Sequence, residues 1–120
     1  VGWNELATRD VASAKTFYSE LFGWMLHAGT AGGAEYTEIE NAGQRSGGMM
    51  AMDGSQWEGI PPHWMIYFVV TDCVASATKA FEHGGVLKVP PTEIPNVGTF
   101  SVISDPQGAV FSILQLAAQA

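Results

Sequence analysis

At 120 residues and 47% hydrophobic, the chain has the length of one compact domain and enough apolar side chains to fill its core. A net charge of −7 with only five Lys and Arg excludes a surface built for nucleic acid or an anionic membrane, since both need clustered cations to release counterions. No apolar run approaches the ~20 residues that span a bilayer, no basic-then-apolar leader is seen, and the opening at Val1 without methionine fits a trimmed start. The single cysteine, Cys73, excludes an internal disulfide; a buried side chain in a reducing, cytoplasmic protein is expected.

In chain order, Trp3-Asn4-Glu5-Leu6-Ala7-Thr8 reads as a strand, after which Asp10 offers a carboxylate to cap a helix. Val11, Ala14, Phe17, Tyr18, Leu21 and Phe22 follow at helical spacing and predict one stripe facing a core. Gly23 supplies a left-handed helix end, and Trp24-Met25-Leu26-His27 begins a new strand. Two further β runs, over residues 35–39 and 46–52, flank a hairpin-like Asn41-Ala42-Gly43. Residues 53–62, with two glycines and Pro61-Pro62, read as a linker.

The order then repeats. A strand over 64–70 precedes Asp72, a second cap, and a helix carrying Cys73, Val74, Ala77, Ala80 and Phe81. His83-Gly84-Gly85 ends it, and Val86-Leu87-Lys88-Val89 is the next strand. Two more strands, over 99–103 and 109–116, flank the turn Asp105-Pro106-Gln107-Gly108. The tetrapeptide Val-Ala-Ser-Ala occurs in both halves, at Val11-Ala12-Ser13-Ala14 and Val74-Ala75-Ser76-Ala77. An α+β fold of two βαβββ modules is expected, about 1–52 and 63–120, in a single domain over 1–120.

Such a doubled unit resembles the vicinal oxygen chelate superfamily of glyoxalases, extradiol dioxygenases and bleomycin-resistance proteins. The carriers are the run from Asp10 to Trp24, Gly84-Gly85 and Asp105-Pro106-Gln107-Gly108; Trp3-Asn4-Glu5-Leu6 with Gly47-Gly48-Met49-Met50 is similar to a glyoxalase-like subgroup. The resemblance implies a curved sheet and cleft, a homodimer, and four metal-ligand positions. These fall at Trp3, at Gly48 or Met49, at Met65 and at Ser112, and none is a carboxylate or imidazole. Indole, thioether and hydroxyl are poor donors for Zn, Ni, Mn or Fe(II), so no cofactor is expected. Displaced donors at Glu5 and His63 give a divalent metal as the alternative.

Strand alternation puts Trp3, Glu5 and Ala7 on one face, and His63, Met65, Tyr67 and Val69 on the corresponding face of the second half, with Ser112 on the last strand. This predicts an aromatic and apolar cleft with few polar groups, suited to a small planar or cationic organic ligand. Glu5 is the sharpest member. Burial raises a carboxylate pKa unless a donor or cation is near, which makes Glu5 a candidate general base or cation anchor, against a structural contact to Asn4, His63 or Tyr67. Trp57 in the linker is read as a lid or subunit contact, His63 as a cleft-edge residue, and Met49 and its methionine neighbours as core. His27 and His83 have weaker claims, His83 as a helix C-terminal cation. The rival reading is a lyase, isomerase or dioxygenase acting on a small oxygenated substrate, with Glu5 as base. A non-catalytic assembly module is a third.

Overall fold

The computed structural model describes residues 2–31 and 33–117; Val1, where a trimmed start is expected, lies outside them. The elements are β1 (Gly2–Thr8), α1 (Val11–Phe22), β2 (Met25–Ala31), β3 (Ala34–Asn41), β4 (Gln44–Ala51), β5 (His63–Val69), α2 (Cys73–Glu82), β6 (Val86–Ile94), β7 (Gly98–Ser104) and β8 (Val110–Leu116). This is the expected α+β order of two βαβββ modules. The connection after β4 holds one 3-10 turn at Ser55–Trp57. The chain forms two compact units, Trp3–Met65 and, together with Gly2, Ile66 onward.

In the first unit the strand order is β2-β3-β4-β1, antiparallel except for β1, which runs parallel to β4. Glu5 lies opposite Gly48 and Leu6 opposite Met49. Alternation therefore turns Leu6, Met49 and Ile39 toward α1, where Val11, Ala14, Tyr18, Trp24 and Leu26 close over them. Burying an aliphatic side chain of this size stabilises by ~1.5–3 kcal/mol, so these three anchor the unit. The β3–β4 turn places Ala42 and Gly43 at φ 53° and 81°, the backbone a two-residue hairpin demands.

In the second unit the order is β5-β8-β7-β6, with β5 parallel to β8 and Tyr67 opposite Ser112. Its core is Cys73, Ala77, Ile103 and Ile113 under Val70, Ala80, Leu87 and Phe111. Asp105 closes the β7–β8 turn by accepting from the Gln107 and Ala109 amides.

Three expectations need correction. The α1 stripe is half wrong: Val11, Ala14 and Tyr18 pack inward, while Phe17 (59% exposed), Leu21 and Phe22 stay in solvent, because the stripe is wider than the strip of helix the sheet covers. The strand from Val86 does not stop at Val89. It runs through Pro90-Pro91 to Ile94, since β6 is the outermost strand of its unit and its register with β7 shifts on both sides of Val89, sparing the prolines any ladder bond. The tetrapeptide repeat is also one residue out of structural register. Asp10 and Asp72 both cap, accepting from Ser13 and Ala75, so Val11 answers to Cys73 and not to Val74. Cys73 is fully buried, whereas Val74 is 57% exposed. The duplication lies in the elements and their caps.

Candidate functional site

In the first unit, the sheet face away from α1 carries Trp3 and Glu5 from β1, Gly48 from β4, and Tyr36, Glu38 and Glu40 from β3. Trp3 donates its indole Nε1–H to the Tyr36 hydroxyl at 2.7 Å. The Tyr36 ring lies across Gly48, and a Cβ there would run into its hydroxyl and ring carbons. Glycine at 48 is what lets Tyr36 lie flat on the sheet and meet Trp3. The two rings make one wall, with Glu5, half-buried, on the same face and opposite Gly48.

Beyond this wall lies a charged patch. His27 Nε2 and Glu40 Oε1 are 2.8 Å apart, and Arg45 donates to Glu38 at 2.6 Å and approaches Glu40 at 3.8 Å. The Arg45–Glu38 pair is about half exposed and adds little stability. It sets local charge: three carboxylates and two aromatic rings share this face with one Arg and one His.

The other expected residues are distributed as follows. Trp57 ends the 3-10 turn, its carbonyl held by Arg9 Nη2 at 2.8 Å and its ring centroid 6.2 Å from that of His63. His63 Nδ1 contacts the Pro61 carbonyl at 2.9 Å. Met65 is half-buried on β5. In the second unit Tyr67 faces Ser112, which is fully buried, and the Ser112 hydroxyl has no hydrogen-bond partner among the described residues. Burial, and then the Asp72 carboxylate, push the Cys73 thiol above its ordinary pKa and leave it inert. His83 caps α2, its Nδ1 on the Lys79 carbonyl.

Tyr36, Glu38 and Glu40 were not legible as site residues. Their period-two spacing was available, but only the register of β3 against β4 puts them on the face of Trp3 and Glu5.

The model of the Glyoxalase/Bleomycin resistance protein/Dioxygenase superfamily matches residues 1–113. The chain belongs to this superfamily. "Putative glyoxylase CFP32" of Mycobacterium bovis is 40% identical over 98% of this chain and 44% of its own length. The anthracycline biosynthesis protein DauV of a Streptomyces species is 28% identical over 92% of this chain and 45% of its own. The chain thus spans less than half the length of these relatives. Among solved structures, methylmalonyl-CoA epimerase from Mycobacterium tuberculosis superposes with a TM-score of 0.70 at 18% identity, covering 96% of this chain and 86% of that one, a likeness of fold.

Members of the superfamily often use a divalent metal, and the residues at the positions its resemblance implies do not fit one. The Trp3 nitrogen is a donor already committed to Tyr36. At Gly48 no side chain projects, and the Tyr36 ring occupies the space a ligand would use. Met65 offers a thioether and Ser112 an un-ionised hydroxyl. Among the described residues no group of three His, Cys, Asp or Glu side chains is placed to hold a metal. Among the described residues no helix is long and apolar enough to cross a membrane.

Proposed function

We propose that the protein binds a small planar or cationic organic molecule on the Trp3–Tyr36 wall, with Glu5 as the anionic anchor and without a divalent metal. The observation that carries this reading is the Tyr36 ring laid over Gly48 and bonded to Trp3: it replaces a ligand position with an aromatic surface. Aromatic faces attract cations and stack on planar rings, and carboxylates on the same face strengthen the preference for positive charge. Trp57, His63 and Met65 are the remaining residues of the first unit assigned to recognition; Tyr67 and Ser112 are those of the second.

Tryptophan fluorescence titration against planar cations tests the reading. Trp3→Ala is expected to weaken binding by roughly 3- to 30-fold, as a lost cation–π contact would, and Glu5→Gln to weaken cations more than neutral rings. Stoichiometric tight binding of Zn, Ni, Mn or Fe(II) in equilibrium dialysis, lost in Glu5→Ala or His63→Ala, would overturn it.

A second reading has Glu5 as general base of a lyase, isomerase or dioxygenase, favoured by its half-buried place beside an aromatic wall. Turnover of methylglyoxal–thiol adducts, catechols or epoxides, abolished in Glu5→Gln, would establish it. We further assign a cytoplasmic homodimer. The lone buried thiol of Cys73 fits the compartment, and the exposed Phe17, Leu21, Phe22 and Met25 around α1 supply apolar surface for a second copy. A monomer in sedimentation at micromolar concentration would exclude the dimer.

A further inference from the structure

The helix side of the first unit's sheet holds a second feature, which shares only Tyr36 with the Trp3–Tyr36 wall. A crevice of about 230 Å³ opens between the start of α1 and strands β2, β3 and β4. Val11 and the fully buried Met49 give it an apolar base, Thr37 a hydroxyl, and Arg9, Lys15 and Glu35 line it with charge. That volume is roughly eight water molecules, smaller than a drug-sized pocket and enough for a molecule the size of a substituted benzene ring.

Its charge is out of character with the chain. The first unit has three Lys and Arg residues in a protein of net charge −7. Arg45 is paired with Glu38 and lies near Glu40 on the other face. The other two, Arg9 and Lys15, border this crevice, and no ion pair of either is present among the described residues. Arg9 uses one of its five N–H donors on the Trp57 carbonyl and keeps the rest. Glu35 offsets one of the two positive charges, so the lining carries a net +1, which matches a monoanion better than a dianion such as phosphate. The second unit provides an internal control. With the capping aspartates aligned, Lys15 corresponds to Ala77, which is 1% exposed and fills the core under α2. The helix position that is a lysine beside the crevice is a buried alanine in the second unit's core.

We propose that this crevice binds a small monocarboxylate with an apolar body, its carboxylate at Arg9 and Lys15 and its body against Val11, Ala28 and Ala51. Guanidinium and ammonium donors to a carboxylate form the stronger class of hydrogen bond, and the apolar base selects against small hydrated anions.

The test is an amide-detected NMR titration of the whole chain with benzoate, using benzylammonium and benzyl alcohol as controls of matched shape. Benzoate is expected to give saturable shifts at about millimolar affinity, centred on Val11, Lys15, Gly29 and Thr37. Lys15→Gln should weaken it about tenfold, and Lys15→Arg, which keeps the charge, should restore it. Lys15 is chosen because Arg9 also holds the linker. Trp3→Ala should leave benzoate binding unchanged, so failure of the cation-binding wall and failure of this site are read separately. Equal shifts of the Val11 and Lys15 amides with benzylammonium or benzyl alcohol, no saturable shift with benzoate, or binding indifferent to Lys15→Gln would each overturn the proposal.

Discussion

Where α1 meets its sheet it presents Val11, Ala14 and Tyr18; the matching turns of α2 present Cys73, Ala77 and Ala80. The second set is smaller, and α2 lies closer to its strands than α1 does. Small side chains let a helix approach until backbone and sheet nearly touch, whereas a tyrosine holds the helix off and leaves space at the other end of the same interface. One topology thus yields a filled layer in one unit and a crevice in the other. The difference teaches that the duplicated elements set the frame, while side chains such as the one four positions past the first inward residue, Lys15 in one unit and Ala77 in the other, set how far it closes.

The largest effect should come from exchanging that residue. Ala77→Lys buries a charge and overfills the α2 core, and a loss above about 4 kcal/mol is expected in chemical denaturation; the converse Lys15→Ala should stay within about 0.5 kcal/mol. Comparable losses would erase the distinction between the units. Next come the core isoleucines. Ile39→Ala and Ile103→Ala should each cost about 2–5 kcal/mol, and a larger loss for Ile103 would show that the tighter layer relaxes less around a cavity. Gly48→Ala follows, at about 1–2 kcal/mol, because the obstructing group is the Tyr36 side chain, which can turn away; a loss of the Trp3 fluorescence environment should accompany it.

The caps give the smallest contrasts. Asp72→Ala should cost about 1 kcal/mol in thermal melts, since Asp72 holds the Ala75 amide. Asp10 accepts from both the amide and the hydroxyl of Ser13, and these bonds hold its carboxyl below the ordinary value. The folded state therefore binds the Asp10 proton less readily than the unfolded one. Its contribution is complete above the usual carboxylate range and is lost as the pH falls through the depressed folded value. Asp10→Asn should flatten that part of the acid-stability curve, and an unchanged curve would remove Asp10 from the account.

Much of the frame was legible in the sequence. Asp10, Asp72, Gly23 and the Asp105-Pro106-Gln107-Gly108 turn announced their structures because each acts through its own backbone neighbourhood. What needed the structure was lateral. The value of Pro90 and Pro91 depended on β6 having a partner on one side only, and the α1 stripe depended on how much of it a sheet would cover. Trp3 and Glu5 could be assigned to one face from alternation, but Tyr36 joins them across 33 residues of chain through the β3–β4 register. The identical tetrapeptides misled by one position because sequence identity says nothing about which residue is the cap.

The two prolines of β6 carry one more consequence. A strand at the end of a sheet is a template on which an extended segment of another molecule can add, provided its outward N–H groups are free to pair. Pro90 and Pro91 have none, and the shifted register between Leu87 and Thr92 bends the ladder around them. Intermolecular sheet growth is therefore interrupted at this strand. The outer strand of the first unit, β2, contains no proline and so lacks this interruption.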